Sequence, residues 1–353
     1  MLKDRLTNVH VSNMEVMLTP IELKTEFPVS EKCLEFISET RQVISDILKG
    51  NDKRFLVICG PCSIHDTDAA IDYAKRLKKL QNELSDRVFI VMRAYFEKPR
   101  TTVGWKGLIN DPHIDGSFDI VEGLRKARSV LLDILELEVP LATEALDPIS
   151  PQYMADLFSW SAIGARTTES QTHREMSSGL SMPVGFKNGT DGGLMVAINA
   201  IESSASPHSF MGINQDGQVS VITTEGNPDT HIILRGGATS NYDAISVAEC
   251  ELEMKKNSVN PSIMIDCSHA NSRKDYRRQS LVAMDVVHQI EEGNQSIIGI
   301  MLESNINEGN QNIVSGEKLK YGVSITDACI SFDDTEKLLK RIYKNLYDIL
   351  PVR

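Results

Sequence analysis

The feature that most constrains the fold is a regular alternation of short apolar runs with longer amphipathic stretches. The runs are continuously apolar, which is typical of parallel strands buried on both faces. They occupy residues 55–59, 88–92, 139–142, 184–186, 232–234, 263–265 and 297–302, and a weaker run occupies residues 162–165. Helical patterns lie between them, at residues 69–80, 118–135, 192–201, 242–255 and 278–290. Eight strands alternating with helices predict an α/β fold, a closed (β/α)8 TIM barrel, with a doubly wound open sheet as the alternative.

Two segments do not fit this alternation. Residues 1–30 precede the first helix of the predicted barrel, and we expect them to form an N-terminal arm with a role in assembly or regulation. In residues 209–229, two β-prone runs flank Asp216-Gly217, and Asp-Gly between such runs is typical of a β-hairpin. The sequence therefore predicts one catalytic barrel over residues 31–353 that carries an inserted hairpin at about residues 209–229.

Composition excludes several classes of protein. With 41% hydrophobic and 24% charged residues among 353, the chain is typical of a globular protein rather than a disordered or fibrous one. Its 37 basic and 49 acidic residues give a net charge of −12, which argues against nucleic acid as a partner. No segment reaches the roughly 18–20 apolar residues of a membrane span. The six cysteines are sparse and no signal-peptide pattern is present, so we expect reduced thiols and a cytoplasmic protein.

The ends of the predicted strands carry the side chains that point to a function. In a barrel of this class the active site lies at the C-terminal ends of the strands, and a charged or metal-binding side chain follows every predicted strand. The cations in this set are Arg93, Lys98, Arg100, Arg166, Lys187 and Arg235. Any one of them alone would more often be a surface cation paired with an acid. Six at one rim predict a site for phosphate and carboxylate groups, because a local pocket outweighs the net charge of the molecule.

A second group at the same rim has the donor atoms of a metal site. Its members are Cys62, His269, Glu303 and Asp327. One sulfur, one nitrogen and two oxygen ligands suit Mn²⁺, Fe²⁺, Co²⁺ or Zn²⁺, and the set is unlike a closed structural zinc site. Cys59 and Cys62 could instead form a redox pair or half of a zinc site. We disfavour both alternatives because Cys59 falls inside a predicted strand and no second Cys-x-x-Cys exists.

Several long motifs resemble those of a known enzyme family. They are GPCSIHD at residues 60–66, RAYFEKPRT at 93–101, GWKG at 104–107, GARTTES at 164–170, PVGFKNGTDG at 183–192, ILRGG at 233–237 and DCSHAN at 266–271. The chain resembles, over almost its whole length, the type I 3-deoxy-D-arabino-heptulosonate 7-phosphate (DAHP) synthases, the first enzymes of the shikimate pathway. No departure is found among the metal-binding or phosphate-binding residues.

The resemblance implies a condensation of phosphoenolpyruvate with erythrose 4-phosphate and water, which releases phosphate. It implies one divalent metal per chain, with Mn²⁺ expected first, held by the four residues of the second group and acting as a Lewis acid. Cys62, His269, Lys98 and Glu144 would be the catalytic residues, with Lys98 as proton donor and Glu144 orienting water.

Substrate contacts follow from the same resemblance. Those to phosphoenolpyruvate would come from Arg93, Lys98, Glu144, Ala165, Arg166, Lys187 and Arg235. Those to erythrose 4-phosphate would come from Lys98, Pro99, Arg100, Thr101 and Asp327.

Feedback inhibition by an aromatic amino acid is also implied. The matching positions are Asn8, Asp147, Pro151, Gln152, Gly179, Leu180, Ser181, Phe210, Gly212 and Val221. The phenylalanine-sensitive branch resembles Ser at the position of Gly212, and glycine leaves room for the hydroxyl of tyrosine. Tyrosine is therefore the favoured inhibitor and phenylalanine the alternative, unless Gly212 is merely a hairpin glycine. Members of this family are commonly homodimers or homotetramers.

Two other functions remain open at this stage. The first is the sister enzyme that makes 3-deoxy-octulosonate 8-phosphate, whose family resembles Lys-Ala-Asn-Arg where this chain has KPRT at residues 98–101. The second is a metabolite sensor that kept the barrel and lost turnover. The complete metal set and the six cations argue against the sensor.

Overall fold

The computed structural model describes residues 6–100, 102–314 and 316–352. Its strands are β1 (Phe55–Gly60), β2 (Val88–Arg93), β3 (Leu141–Glu144), β4 (Trp160–Ile163), β5 (Val184–Lys187), β6 (Ser209–Ile213), β7 (Val219–Thr223), β8 (Thr230–Leu234), β9 (Ile263–Asp266), β10 (Ile297–Asn305) and β11 (Ile330–Ser331). Strands β1 to β5 and β8 to β10 pair in parallel in that order, and β10 pairs back with β1. This closed eight-stranded barrel confirms the TIM-barrel prediction and excludes the open sheet.

The helices pack mainly around the barrel. They are α1 (Pro20–Glu26), α2 (Glu31–Leu48), α3 (Thr67–Leu84), α4 (Ile120–Glu136), α5 (Ser150–Met154), α6 (Gln171–Ser178), α7 (Met195–Ser204), α8 (Ala244–Lys256), α9 (Gln279–Glu291) and α10 (Phe332–Leu346). The five stretches with predicted helical patterns correspond to α3, α4, α7, α8 and α9, with ends that differ by a few residues. None of the helices in the described part of the chain is long and apolar enough to cross a membrane.

Two strands begin or end at residues other than those predicted. The run at 139–142 contains Pro140, which has no N–H for the ladder, so β3 begins only at Leu141. The predicted run at 162–165 lies two residues further along the chain than the observed strand, Trp160–Ile163. Strand β4 already ends at Ile163, because the Gly164 carbonyl accepts bonds from Thr167 and Thr168 in a tight turn.

Helix α2 closes the N-terminal end of the barrel. Its Ile44, Ile47 and Leu48 are buried in one apolar cluster with Leu56 and other side chains of the barrel interior. The Ser262 hydroxyl, just before β9, donates to the Leu48 carbonyl at 2.8 Å. Because this end is sealed, the side chains that reach solvent from the barrel interior lie at the opposite end.

The inserted segment forms the predicted hairpin. Strands β6 and β7 pair antiparallel, and Gly217 in the turn has a φ of +73°, which favours glycine. Helix α1 of the arm lies against this turn, since the Ile21 N–H donates to the Gln215 carbonyl at 2.9 Å. Lys24 Nζ donates to the Gln215 side chain at 2.8 Å. The arm and hairpin are thus connected, while the domain boundaries at residues 1–30 and 31–353 stay a prediction.

Candidate active site

Charged side chains converge at the C-terminal end of the barrel. The sequence predicts that the charged side chains come directly after the strands. In the structure four of them are instead the last residues of their strands: Arg93, Glu144, Lys187 and Asp266. Glu303 lies within β10, level with Gly60 in the neighbouring strand. Glu144, Lys187 and Glu303, together with the loops that follow the strands, line a cavity of about 600 Å³.

Three of the four predicted metal ligands come together at this end. Ligand atoms of Cys62, Glu303 and Asp327 lie within 4.8 Å of one another. Cys62 and Glu303 are buried, whereas Asp327 is exposed and lines the cavity. Two atoms bound to one ion at roughly 2.0–2.3 Å lie at most about 4.6 Å apart, so small side-chain adjustments would place all three around one cation. One sulfur and two carboxylates fit a divalent transition metal.

His269 is the predicted ligand that the structure does not bring into this cluster. It lines the same cavity, and its Nδ1 lies 2.9 Å from Asp266 Oδ2 and 2.7 Å from Ser268 Oγ. A carboxylate at Nδ1 fixes the tautomer that leaves the Nε2 lone pair available, which is the usual arrangement behind a metal-binding histidine. The role of His269 as a ligand stays a prediction.

Without a bound metal, the thiol of Cys62 stays protonated at neutral pH. Burial raises the pKa of this thiol to about 11, and Glu303 adds to the effect. Lys98 opposes it, since its Nζ lies 3.2 Å from Cys62 Sγ and 3.0 Å from the Cys62 carbonyl oxygen. A bound cation would require the thiolate, so metal binding would release a proton.

Two buried ion pairs support the rim. Lys187 Nζ lies 2.9 Å from Asp266 Oδ2, and Arg93 Nη2 lies 3.3 Å from Glu303 Oε1. Burial alone would raise the pKa of Asp266, but His269 and Lys187 hold it well below its ordinary value. Asp266 therefore stays ionised and fixes a cation and an imidazole on either side.

The predicted cations divide into two kinds. Those that line the cavity are Lys98, Arg100, Arg166, Lys187 and Arg235. Arg93 is only 1% exposed and does not line it, because its guanidinium turns into the barrel between Glu303 and the Met301 sulfur. Pro99, Glu144 and Ala165 also line the cavity, as expected. Thr101 lies outside the described residues.

Glu144 owes its position to a glycine. It is buried, and a Cβ on Gly164 in the neighbouring loop would collide with its Oε1. Glycine at this point of the GARTTES motif therefore lets the carboxylate reach the cavity wall.

Some residues at this end of the barrel were not assigned a role from the sequence. Asp266 was visible there only as a charge after a strand, and its two partners come from β5 and from the loop after β9. Lys274, Tyr276 and Asn310 also line the cavity. Lys274 and Asn310 lie in loops, and Tyr276 begins a single 3-10 turn, so no periodicity indicates which of these side chains face inward.

Most of the predicted regulatory residues surround the hairpin and α5. Gln152 Oε1 accepts from Gln215 Nε2 in the hairpin turn at 2.7 Å. Pro151 and Leu180 line one small cavity, and a Cβ on Gly179 would approach Thr224 Cγ2, just after β7, to 2.8 Å.

The other predicted regulatory positions lie at the edges of this region. Asp147 Oδ1 accepts from the Ile149 and Ser150 N–H groups at the start of α5. Ser181 is exposed just after Leu180, and Asn8 is exposed in the arm.

The hairpin places one predicted residue on the other face. Phe210 pairs with Ile222, and Gly212 pairs with Ser220, so these residues share a face. Val221 pairs with Met211 and points to the opposite side. Ile222, one position further along, shares the face of Phe210 and Gly212, and the assignment of Val221 stays a prediction.

Comparison with known proteins shows the family to which the chain belongs. Residues 22–340 match the family model described as the DAHP synthetase I family. The chain is 60% identical over 354 aligned positions to the tyrosine-sensitive phospho-2-dehydro-3-deoxyheptonate aldolase of Escherichia coli K12, covering 100% of this chain and 99% of that protein. It is 54% identical over 335 positions to the phenylalanine-sensitive enzyme of the same strain, covering 95% and 96%.

A solved structure is also similar. The phospho-2-dehydro-3-deoxyheptonate aldolase of Francisella tularensis SCHU S4 superposes with a TM-score of 0.93 at 44% identity, covering 96% of this chain and 98% of that one. The chain therefore belongs to the DAHP synthetase I family, and it is an enzyme of that family.

Proposed function

We propose that this enzyme condenses phosphoenolpyruvate with erythrose 4-phosphate and water, giving DAHP and phosphate. The observation that carries the proposal is one cavity lined by six cations, the five predicted ones and Lys274, beside a cluster of one thiol and two carboxylates. The cations suit the phosphate and carboxylate groups of both substrates. The family and the names of its similar members support the same reaction.

The metal site would consist of Cys62, Glu303 and Asp327, with His269 as the fourth ligand. A divalent cation bound there would supply Lewis acidity toward the aldehyde oxygen of erythrose 4-phosphate. The donor set suits Mn²⁺, Fe²⁺, Co²⁺ or Zn²⁺ alike, and Mn²⁺ is placed first only because the family resemblance implies it.

Phosphoenolpyruvate would be bound by the cations nearest the strand ends. Arg166, Lys187 and Arg235 line the cavity and would hold its phosphate and carboxylate, with Ala165 at the same wall. The buried Arg93 would act through Glu303, to which it is bonded, rather than by direct contact. Binding in one orientation supplies much of the catalysis of a reaction between two substrates.

Erythrose 4-phosphate would be bound by the loop after β2. Arg100 is exposed, and Lys98 and Pro99 connect it to the deeper part of the cavity. Asp327 would contact the aldehyde end from the opposite loop. Thr101 keeps its sequence-based assignment to the phosphate.

The bonds then change in a simple order. The enol carbon of phosphoenolpyruvate attacks the aldehyde carbon, and Lys98 Nζ donates a proton to the aldehyde oxygen as it becomes a hydroxyl. Water, oriented by Glu144, adds to the resulting oxocarbenium carbon, and the proton that it loses returns to Lys98 Nζ. The carbon–oxygen bond to phosphate then breaks as the new hydroxyl becomes the ketone carbonyl, and its proton leaves with the phosphate.

A substrate-omission assay tests the proposal. Phosphate release should require both phosphoenolpyruvate and erythrose 4-phosphate, and a chelator should abolish it. Faster release with arabinose 5-phosphate would favour the octulosonate enzyme instead. Binding of both substrates without turnover in the metal-loaded protein would favour the sensor.

Regulation by an aromatic amino acid is part of the proposal. A Cβ on Gly212 would meet only the end of the Ile222 side chain, so a larger residue here would shift that side chain. As the family resemblance implies, glycine at this position favours tyrosine over phenylalanine. Titration of each amino acid against activity tests this, and stronger inhibition by phenylalanine would reverse the assignment.

Assembly through the arm and hairpin completes the proposal. The outer hairpin face presents Met211, Val219 and Val221, which are 83%, 81% and 75% exposed. Exposed apolar patches of this kind mark protein interfaces. We expect a homodimer or homotetramer, and light scattering of the wild type and of Met211→Lys measures the mass. Cytoplasmic location stays a prediction from the sequence.

A further inference from the structure

Glu97 is a buried carboxyl that the proposed reaction does not use. It lies directly before Lys98, in the irregular segment after β2, and it is 8% exposed. Ser150 Oγ, at the first residue of α5, donates to Glu97 Oε2 at 2.9 Å. The two residues are 53 positions apart in the chain, so this bond joins two separate loops of the rim.

The carboxyl is kept neutral by its surroundings. Burial raises the pKa of Glu97 to about 8, while the hydrogen bond from Ser150 opposes that rise. The charged groups that act on it, Asp147 from the segment before α5 and Glu144 at the end of β3, are both acids and push the pKa upward. Glutamine is therefore a close mimic of Glu97 at neutral pH.

One side of this bond leads to the proposed catalytic lysine. The Lys98 N–H donates to the Lys106 carbonyl at 2.8 Å, and its Nζ contacts the Cys62 carbonyl and thiol. A shift of Glu97 by a fraction of an ångström moves the backbone of Lys98, because the two residues are consecutive.

The other side leads to the proposed amino-acid site. Ser150 begins α5, and Gln152 in the same helix bonds the hairpin turn through Gln215. Gln215 in turn accepts from the Ile21 N–H of α1. The arm, the hairpin and α5 are thus joined by hydrogen bonds up to Ser150.

The region around the bond leaves limited room to move. A cavity of about 20 Å³, enough for one water molecule, lies between Glu97 and Glu144 on one side and Pro151 and Leu180 on the other. A change in the position of α5 can therefore be transmitted to Glu97 instead of being absorbed by solvent.

We infer that the Ser150–Glu97 hydrogen bond couples the aromatic amino-acid site to Lys98, so that Ser150 and Glu97 are positioning residues for feedback inhibition. This inference rests on the proposed function, since it presupposes an inhibitor bound between α5 and the hairpin. Occupation of that site moves α5, the bond carries the displacement to Glu97, and Lys98 leaves the geometry that binds phosphoenolpyruvate.

The test separates binding of the inhibitor from its effect. In Ser150→Ala we expect the Kd for the inhibiting amino acid, measured by calorimetry, to change less than about threefold. We expect half-inhibition to require at least about tenfold more amino acid, within the usual range of coupling between sites. Phosphoenolpyruvate should weaken amino-acid binding in the wild type and much less in Ser150→Ala, because coupling is reciprocal.

Conservative variants make the test specific to the bond. Ser150→Thr keeps the hydroxyl and should restore inhibition, and Glu97→Gln keeps the acceptor and should retain it. Ser206→Ala removes an exposed hydroxyl of another loop and should behave as the wild type.

Three results would overturn the inference, and they are distinguishable. Wild-type inhibition of Ser150→Ala would show that the bond carries no coupling. Loss of amino-acid binding in Ser150→Ala would place Ser150 in the binding site instead. If neither tyrosine nor phenylalanine inhibits the wild type, feedback regulation and this inference both fail, while the proposed reaction stands.

Discussion

Two fully buried polar residues lie at opposite ends of the barrel and have different surroundings. At the C-terminal end, Asp266 contacts Lys187, Ser268 and His269. Towards the N-terminal end, neither ring nitrogen of His231 has a hydrogen-bond partner among the described residues. Asp266 is held ionised by its neighbours, and His231 is held neutral by apolar packing beside Trp160. The barrel strands thus place paired charged side chains at the C-terminal end and apolar packing at the N-terminal end. Burial of a polar group alone does not identify a functional site; the charges around it do.

Replacement of Lys98 should have the largest effect at the charged end. Lys98→Met removes the proposed proton donor and a phosphate contact, and we expect turnover to fall by about 10²–10⁴-fold. The fold should be retained, as measured by circular dichroism. Lys78→Met, which removes a partly exposed lysine paired with Glu138, is the matched control and should keep full activity. Full turnover of Lys98→Met would remove Lys98 from the mechanism.

The two ends should also differ in what an ion pair contributes to stability. Lys187→Met leaves Asp266 buried without its lysine and should lower the free energy of unfolding by about 3–5 kcal/mol. Lys49 forms a pair of similar length, 2.8 Å, with Asp229 near the N-terminal ends of the strands, but it is 51% exposed. Lys49→Met should cost less than about 1 kcal/mol. Equal costs in urea unfolding would contradict the contrast between the two ends.

At the apolar end, we expect His231 to make the free energy of unfolding depend on pH. Burial lowers the pKa of His231 from 6.5 to about 3, so the unfolded chain takes up this proton first as the pH falls. Stability should therefore drop by about 1.4 kcal/mol per pH unit below pH ~6.5, down to the folded pKa. His231→Leu should remove that part of the pH dependence.

The control for this prediction is an exposed histidine. His288→Gln removes an exposed histidine from the surface of α9 and is the matched control for loss of an imidazole, against which the slope for His231→Leu is compared. An identical slope for wild type and His231→Leu between pH 4 and pH 6 would show that His231 is charged in the folded protein.

The barrel could be predicted from the sequence because its strands are continuous apolar runs, and the rim because parallel strands end together. Three details could not be predicted. Whether Arg93 lines the cavity depends on a rotamer that pairs it with Glu303. The face of Val221 depends on the hairpin register, in which a shift of one residue reverses every side chain. The contact of Ser150 with Glu97 joins segments that no local pattern connects.

The central claim is that the cluster of Cys62, Glu303 and Asp327 makes the charged end a metal-dependent catalytic site. Titration of Mn²⁺ into metal-free protein, with phosphate release followed from both substrates, tests it most directly. The account predicts no turnover without metal, saturation at one ion per chain, and neither binding nor turnover in Cys62→Ser, while Cys250→Ala behaves as the wild type. Full turnover of the metal-free protein, or of Cys62→Ser, would contradict it.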